Sequence, residues 1–188
     1  MNIFKRACFL AFTALSLAHP VTAGSLMIDL SAPDEHHQWR ATNDGVMGGL
    51  SQGGLSFNGR WSLFSGELSF RNNGGFSSVN RPIANLPAAI DRVELVFIGD
   101  GRRYQLRFTT MLDGELVRYK HEFATVQGQR HSKRFILRDF QATFRGRLIS
   151  DAPSLKAEAI NQVGLLIADK QPGPFALQLV QLQFLPAP

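Results

Sequence analysis

The sequence predicts an all-β fold, an antiparallel sandwich of the jelly-roll kind with little helix. Three observations predict it. Apolar residues recur at every second position over much of the chain, turns rich in glycine and asparagine interrupt the runs, and helix-forming stretches are scarce. Many short strands with no helices between them build an antiparallel sandwich and not a parallel α/β sheet.

Taken in order, the first segment stands apart from the fold. Lys5 and Arg6 precede an apolar run over residues 7–18, and Val21-Thr22-Ala23 supplies small or modest side chains before a cut. That is the order of a secretory signal peptide, with cleavage expected after Ala23. The run is shorter than the roughly 20 residues that cross a bilayer. Residues 24–188 then read as one domain, with no linker, repeat or further membrane-length apolar stretch. The expected location is periplasmic or secreted, with no transmembrane segment after cleavage. The leader takes two of the 20 basic residues and none of the 15 acidic ones, so the formal charge falls from +5 to +3. A mild charge from scattered arginines argues against a nucleic-acid partner. The single cysteine, Cys8, leaves with the leader. The domain must therefore rest on its hydrophobic core and not on disulfides.

The strands follow. Asn58-Gly59 separates Leu55-Ser56-Phe57 from Arg60-Trp61-Ser62-Leu63, a strong hairpin signal because both turn residues accept positive φ. Residues 93–98 (VELVFI) are almost wholly apolar and read as a central strand. Tyr104, Leu106 and Phe108 alternate with Gln105, Arg107 and Thr109. Val117, Tyr119 and Phe123 lie opposite Arg118, Lys120 and Glu122, and His121 falls on their apolar side as a hydrogen-bonded core or cleft residue. Residues 154–159 (SLKAEA) allow one short helical turn capped by Ser154. Residues 160–168 and 175–185 supply the last two strands. In the final one the polar positions switch parity between Gln178 and Gln181-x-Gln183. A β-bulge near Leu179-Val180 would restore one buried face, and burial on both faces is the alternative.

Residues 42–53 (TNDGVMGGLSQG) gather the most unusual backbone chemistry. A phosphate-binding loop needs Gly-Lys-Ser/Thr after its first glycine, and Gly48-Gly49 is followed by Leu50-Ser51 with no lysine. Gly49-Leu50-Ser51-Gln52-Gly53 matches the letters of a nucleophile elbow, but the strand-to-helix turn that elbow requires is missing. Asp34-Glu35-His36-His37 collects potential metal ligands, yet adjacent histidines point apart and the zinc-helix spacing is absent. A solvated loop is the expectation there, with no metal and no cofactor assigned, and a structural calcium held by oxygen ligands is the alternative a jelly roll allows. Trp39, Trp61, Tyr104 and Tyr119 could stack on sugars, though this is also an ordinary core allowance.

The segment Asn43–Ser51 (NDGVMGGLS) resembles the Asp-Val-Met-Gly-Gly-x-Ser signature of the complex I intermediate-associated protein 30 family. Phe64-Ser65-Gly66-Glu67-Leu68, Asn73-Gly74-Gly75-Phe76-Ser77-Ser78-Val79, Asp139-Phe140 and Phe144-Arg145-Gly146-Arg147 are similar to its later segments, in order. Residues 160–168 and 173–177 resemble its closing strands. The resemblance implies a galactose-binding-like jelly roll, no assigned catalytic residues, and a chaperone-like role in assembly. Since the leader exports this chain, the client would differ from the one implied. Asn43 stands where the family pattern has a further aspartate, which removes one charge and leaves Asp44.

Two loops are expected to pack together. Asn43, Asp44, Gly45, Met47, Gly48, Gly49 and Ser51 form one. Asn73, Gly74, Gly75, Phe76 and Ser78 form the other, with Asp44 and Asn73 bonding loop amides. Arg145, Arg147, Trp39 and Trp61 are the candidate partner-binding residues. The leading reading is a non-enzymatic module that binds a protein client. The alternative is a module for carbohydrate or envelope glycan, and a third reading makes Ser51 a hydrolase nucleophile.

Overall fold

In the computed structural model, residues 24–112, 114–144 and 146–187 are described. The proposed leader and Arg145 lie outside these residues. Among the described residues thirteen strands follow one another: β1 (Leu26–Asp29), β2 (Arg40–Asn43), β3 (Gln52–Phe57), β4 (Ser62–Leu68), β5 (Ser77–Pro82), β6 (Ile90–Ile98), β7 (Arg103–Leu112), β8 (Glu115–Ala124), β9 (Arg130–Ile136), β10 (Gln141–Phe144), β11 (Arg147–Leu148), β12 (Ile160–Ile167) and β13 (Gly173–Pro186). Among the described residues, helix is confined to 3₁₀ turns of three or four residues.

The strands form two antiparallel sheets. One runs β3-β4-β13-β6-β9, with β1 also paired to β13, and the other runs β11-β10-β8-β7-β12-β5-β2. Period-two patterning puts Tyr104, Leu106 and Phe108 of β7 on the inner face, where each is at most 1% exposed. Phe64, Phe97, Phe135 and Phe184 meet them from the other sheet, equally buried. Burying one such side chain contributes about 1.5–3 kcal/mol, so this aromatic layer replaces the missing disulfides.

The bulge lies where the parity switch places it. Leu179 pairs with Phe97 and Gln181 with Val96, which leaves Val180 unpaired in the ladder with β6. Phe175, Leu177 and Leu179 are buried before the bulge, and Leu182 and Phe184 after it. The Val180 carbonyl accepts from Leu30 N at 3.1 Å, so the irregularity leaves no orphan there.

Three local expectations need correction. The β3–β4 hairpin exists, but its connection is the four residues Asn58–Trp61, because Phe57 pairs with Ser62. Asn58 Oδ1 accepts from Arg60 N and Trp61 N, an Asx turn that needs positive φ only at Gly59 (+92°). The short turn near Ser154 comes at Ala157–Ala159 with no side-chain cap, since Ser154 lies outside it. Glu35 is not solvated. It forms an ion pair with the Arg81 guanidinium at 2.7 Å and accepts from Trp39 Nε1 at 3.1 Å, tying the turn after β1 to β5.

At one end of the sandwich, the connection between β6 and β7 is fastened to the one between β12 and β13. Arg102 grips Asp169 with two bonds of 2.7 Å and also donates to the carbonyls of Gln171 and Pro174. Asp100 accepts from Tyr104 Oη and Ala176 N, each at 2.7 Å. Register places the loops after β2 and before β5 at this same end, because Ser77 pairs with Ile167 and Ile167 with Tyr104.

Candidate functional site: a loop pair tied by Asp44

The two glycine-rich loops meet around one carboxylate. Asp44 is fully buried. Its Oδ1 accepts from Ser51 N at 2.9 Å, and its Oδ2 accepts from Gly75 N at 2.5 Å and Phe76 N at 3.2 Å. Burial alone would raise its pKa. Hydrogen bonds from Ser51, Gly75 and Phe76 outweigh burial and hold the carboxyl below the ordinary aspartate range.

The glycines are shaped by this carboxylate. A Cβ on Gly49 would fall on Asp44 Oδ1, and one on Gly74 would lie 2.6 Å from Oδ2. Gly48 ends the 3₁₀ turn Asp44–Met47 at φ +86°, a conformation that favours glycine. Gly45 has open space around it and an ordinary φ, so nothing in the structure explains it.

The second loop is bound to the first by several further contacts. Asn72 Nδ2 donates to Gly48 O at 3.1 Å, so Asn72 makes the side-chain bond expected of Asn73. Both asparagines sit in the left-handed region, with φ of 56° and 58°. Ser77 Oγ donates to Asn43 Oδ1 at 2.7 Å, Asn43 Nδ2 donates to Gly53 O, and Ser78 Oγ donates to Thr42 O. Phe76 is half-buried.

Ser51 is 4% exposed. Its hydroxyl donates to Ser69 O at 3.2 Å and accepts from Ser69 N at 3.0 Å. The oxygen joins two backbone segments, and no described histidine bonds to it, whereas a nucleophile needs a base within reach. Among the described residues no three His, Cys, Asp or Glu side chains come together as a metal site would require.

Beside the exposed Arg71, Asn72 and Asn73, the loop pair presents four apolar side chains. Val46 is 75% exposed, Met47 68%, Leu50 46% and Phe70 42%. Leu50 and Phe70 flank the Ser51–Ser69 pair, Val46 and Met47 lie in the 3₁₀ turn, and the Phe70 ring packs where a Cβ on Gly75 would stand. Of these four, the signature matched in the sequence contains Val46 and Met47. Phe70 and Leu50 carry no sequence signal beyond being apolar beside a glycine loop.

The other partner-binding candidates are dispersed. Trp39 is 8% exposed and belongs to the core, which corrects its assignment to a binding surface. Trp61 is half-buried with the Arg60 guanidinium 4.2 Å above its ring. Arg147 is exposed on β11. His121 packs edge-on against Phe135 and Phe140, and its Nδ1 lies 3.0 Å from the Glu122 carbonyl.

This architecture is a jelly-roll-like β-sandwich of two antiparallel sheets. It is similar to the family 11 carbohydrate-binding module of the cellulosomal cellulase Lic26A-Cel5E of Clostridium thermocellum, with a TM-score of 0.63 at 8% identity, over 87% of this chain and 95% of that one. The Clostridium thermocellum family 11 module in complex with a β-1,3-1,4-mixed-linked tetrasaccharide gives 0.61 at 8% identity, over 87% and 96%. An exo-β-agarase gives 0.54 at 11% identity, over 88% of this chain and 25% of that one. At such identities the likeness is one of fold. No curated protein matches the chain by sequence. The chain belongs to the complex I intermediate-associated protein 30 (CIA30) family, whose model matches residues 28–179.

Proposed function

We propose that this protein is a non-enzymatic module that holds a protein client in the manner of an assembly factor, acting outside the cytoplasm after its leader is removed. The observation that carries this reading is the apolar tip of the loop pair. Val46, Met47, Leu50 and Phe70 face solvent on a backbone whose own polar groups are satisfied by Asp44. Exposed apolar groups on a pre-organised frame bind with little ordering cost, which is what a protein contact requires.

The test is site-specific photocrosslinking in the native cell envelope. A photoreactive residue at Met47 or Phe70 should capture a protein that the same probe at Val126, exposed elsewhere, does not. Val46→Asp should lower capture at least tenfold while leaving the melting temperature unchanged. Equal capture at all three positions would end the proposal.

A second reading, glycan binding, draws on the shared sandwich fold and on a polar surface away from the loops. The outer face of the seven-stranded sheet is paved with amides and charged groups, including Asn80, Gln105, Arg107 and Gln162.

A further inference from the structure

The outer face of the seven-stranded sheet carries a charge imbalance that the fold does not use. Strand register sets Arg40, Asn80, Gly164, Arg107, Lys120 and Gln141 in one row across six strands. At about 4.8 Å between strands, that row is roughly 24 Å long. Arg103 and Arg118 lie on the same face by strand alternation, as does Glu122, its one described carboxylate.

Glu122 is already engaged. Its Oε1 accepts from Lys120 Nζ at 3.0 Å and from Gln105 Nε2 at 3.2 Å, and these bonds hold its carboxyl below the ordinary range. Gln105 also accepts from Arg107 Nε at 2.9 Å. That bond turns the Nε edge of Arg107 toward the protein. The two terminal nitrogens hold no hydrogen bond to a described residue, and no described carboxylate comes within 4.0 Å of the guanidinium. Arg107 is half-buried, and burial first, then repulsion from Arg118, lowers its pKa to about 10. Glu122 acts the other way, and a half-buried guanidinium beside Arg118 with its terminal nitrogens unbonded to described residues is a place that an anion fits.

The surface around it suits a sugar better than a peptide. Gly164 has no side chain, and Asn80 lies over the space a Cβ would take there, which keeps the row low. Asn80 and Gln162 offer amides, the donors and acceptors that sugar hydroxyls match, while Thr109 is 6% exposed and donates to Gln162 Oε1 at 3.2 Å. No exposed aromatic or aliphatic anchor of the kind protein interfaces use stands in the Arg40–Gln141 row, and the exposed apolar side chains of this face, Met111, Leu116 and Leu148, lie outside that row. A guanidinium takes a carboxylate through two parallel bonds.

We infer that this face binds an acidic polysaccharide, with the terminal nitrogens of Arg107 receiving a uronate carboxylate and Lys120 and Arg118 adding charge beside it. The inference rests on the second reading above and names its ligand class. The experiment uses residues 24–188 and compares polygalacturonate, the same polymer fully methyl-esterified, and polyglutamate by affinity electrophoresis and calorimetry.

The expected result is binding of polygalacturonate alone, weakened at least fivefold in Arg107→Lys, which keeps the charge but loses the fork. Arg118→Gln, an exposed change, should weaken binding more modestly. Melting curves establish that both variants are folded. Equal binding of the methyl ester would overturn the acidic ligand while leaving glycan binding intact. Equal binding of polyglutamate would reduce the face to a basic surface and overturn the inference. An undiminished Arg107→Lys would remove Arg107 from the site, and failure of both sugar polymers would end the glycan reading itself.

Discussion

Asp44→Asn is the sharpest perturbation of the loop pair. The asparagine keeps the shape of the side chain but offers one oxygen to three amides. If that oxygen replaces Oδ2, it can serve Gly75 and Phe76, and the new NH₂ faces Ser51 N. If it replaces Oδ1, two amides lose their acceptor. At least one buried donor is therefore orphaned, at about 1–3 kcal/mol, and the remaining bonds lose the charge that strengthened them. Together these give about 3 kcal/mol. For a domain of this size that is a drop in melting temperature of roughly 6–12 °C.

The pH dependence fixes the cause. The folded carboxyl is held below the ordinary range, so at acid pH the unfolded chain binds the proton first. The stabilisation is present in full above the unfolded value, about 3.9, and is lost as pH falls through the folded value. The stability gap between wild type and Asp44→Asn should thus be widest near neutrality and narrow steadily below about pH 4. Denaturant melts from pH 7 to pH 3 would measure it. A gap under about 1 kcal/mol at pH 7, or one that widens with acid, would refute the reasoning.

Two further outcomes follow from the same geometry. Gly49→Ala and Gly74→Ala drive a methyl group into the Asp44 carboxylate and should each destabilise by about 2–4 kcal/mol, whereas Gly45→Ala, with open space and ordinary φ, should stay within about 0.5 kcal/mol in thermal melts. Arg102→Ala strands Asp169, whose side chain is 2% exposed, and should destabilise by about 3–5 kcal/mol, while an exposed control such as Arg138→Ala should change little.

The strands were legible because their signal is local. Alternation in residues 103–109 and 116–123 needs only the neighbouring letters, and the parity switch at Gln178 and Gln181 located a bulge without any knowledge of its partner strand. The loop pair was half legible. The glycines and Asp44 marked it, but which asparagine reached across depended on backbone turns that the letters Asn72-Asn73 leave undetermined. Trp39 was misplaced because a tryptophan looks alike in a core and in a sugar cleft until its neighbours are known. In the sequence Arg107 is one polar position in a strand. Its exceptional state arises from burial and from Arg118 on the neighbouring strand, which only the assembled sheet brings to it.

A single carboxylate serving amides 31 and 32 residues away has a kinetic consequence for the apolar tip. Neither loop can swing out while the other stays without emptying Oδ2, the oxygen that Gly75 N and Phe76 N share. The tip therefore leaves and returns as one body, in one cooperative step. A partner seated on Val46 and Phe70 together would hold that step closed, so its residence time would be set by how seldom Asp44 lets go.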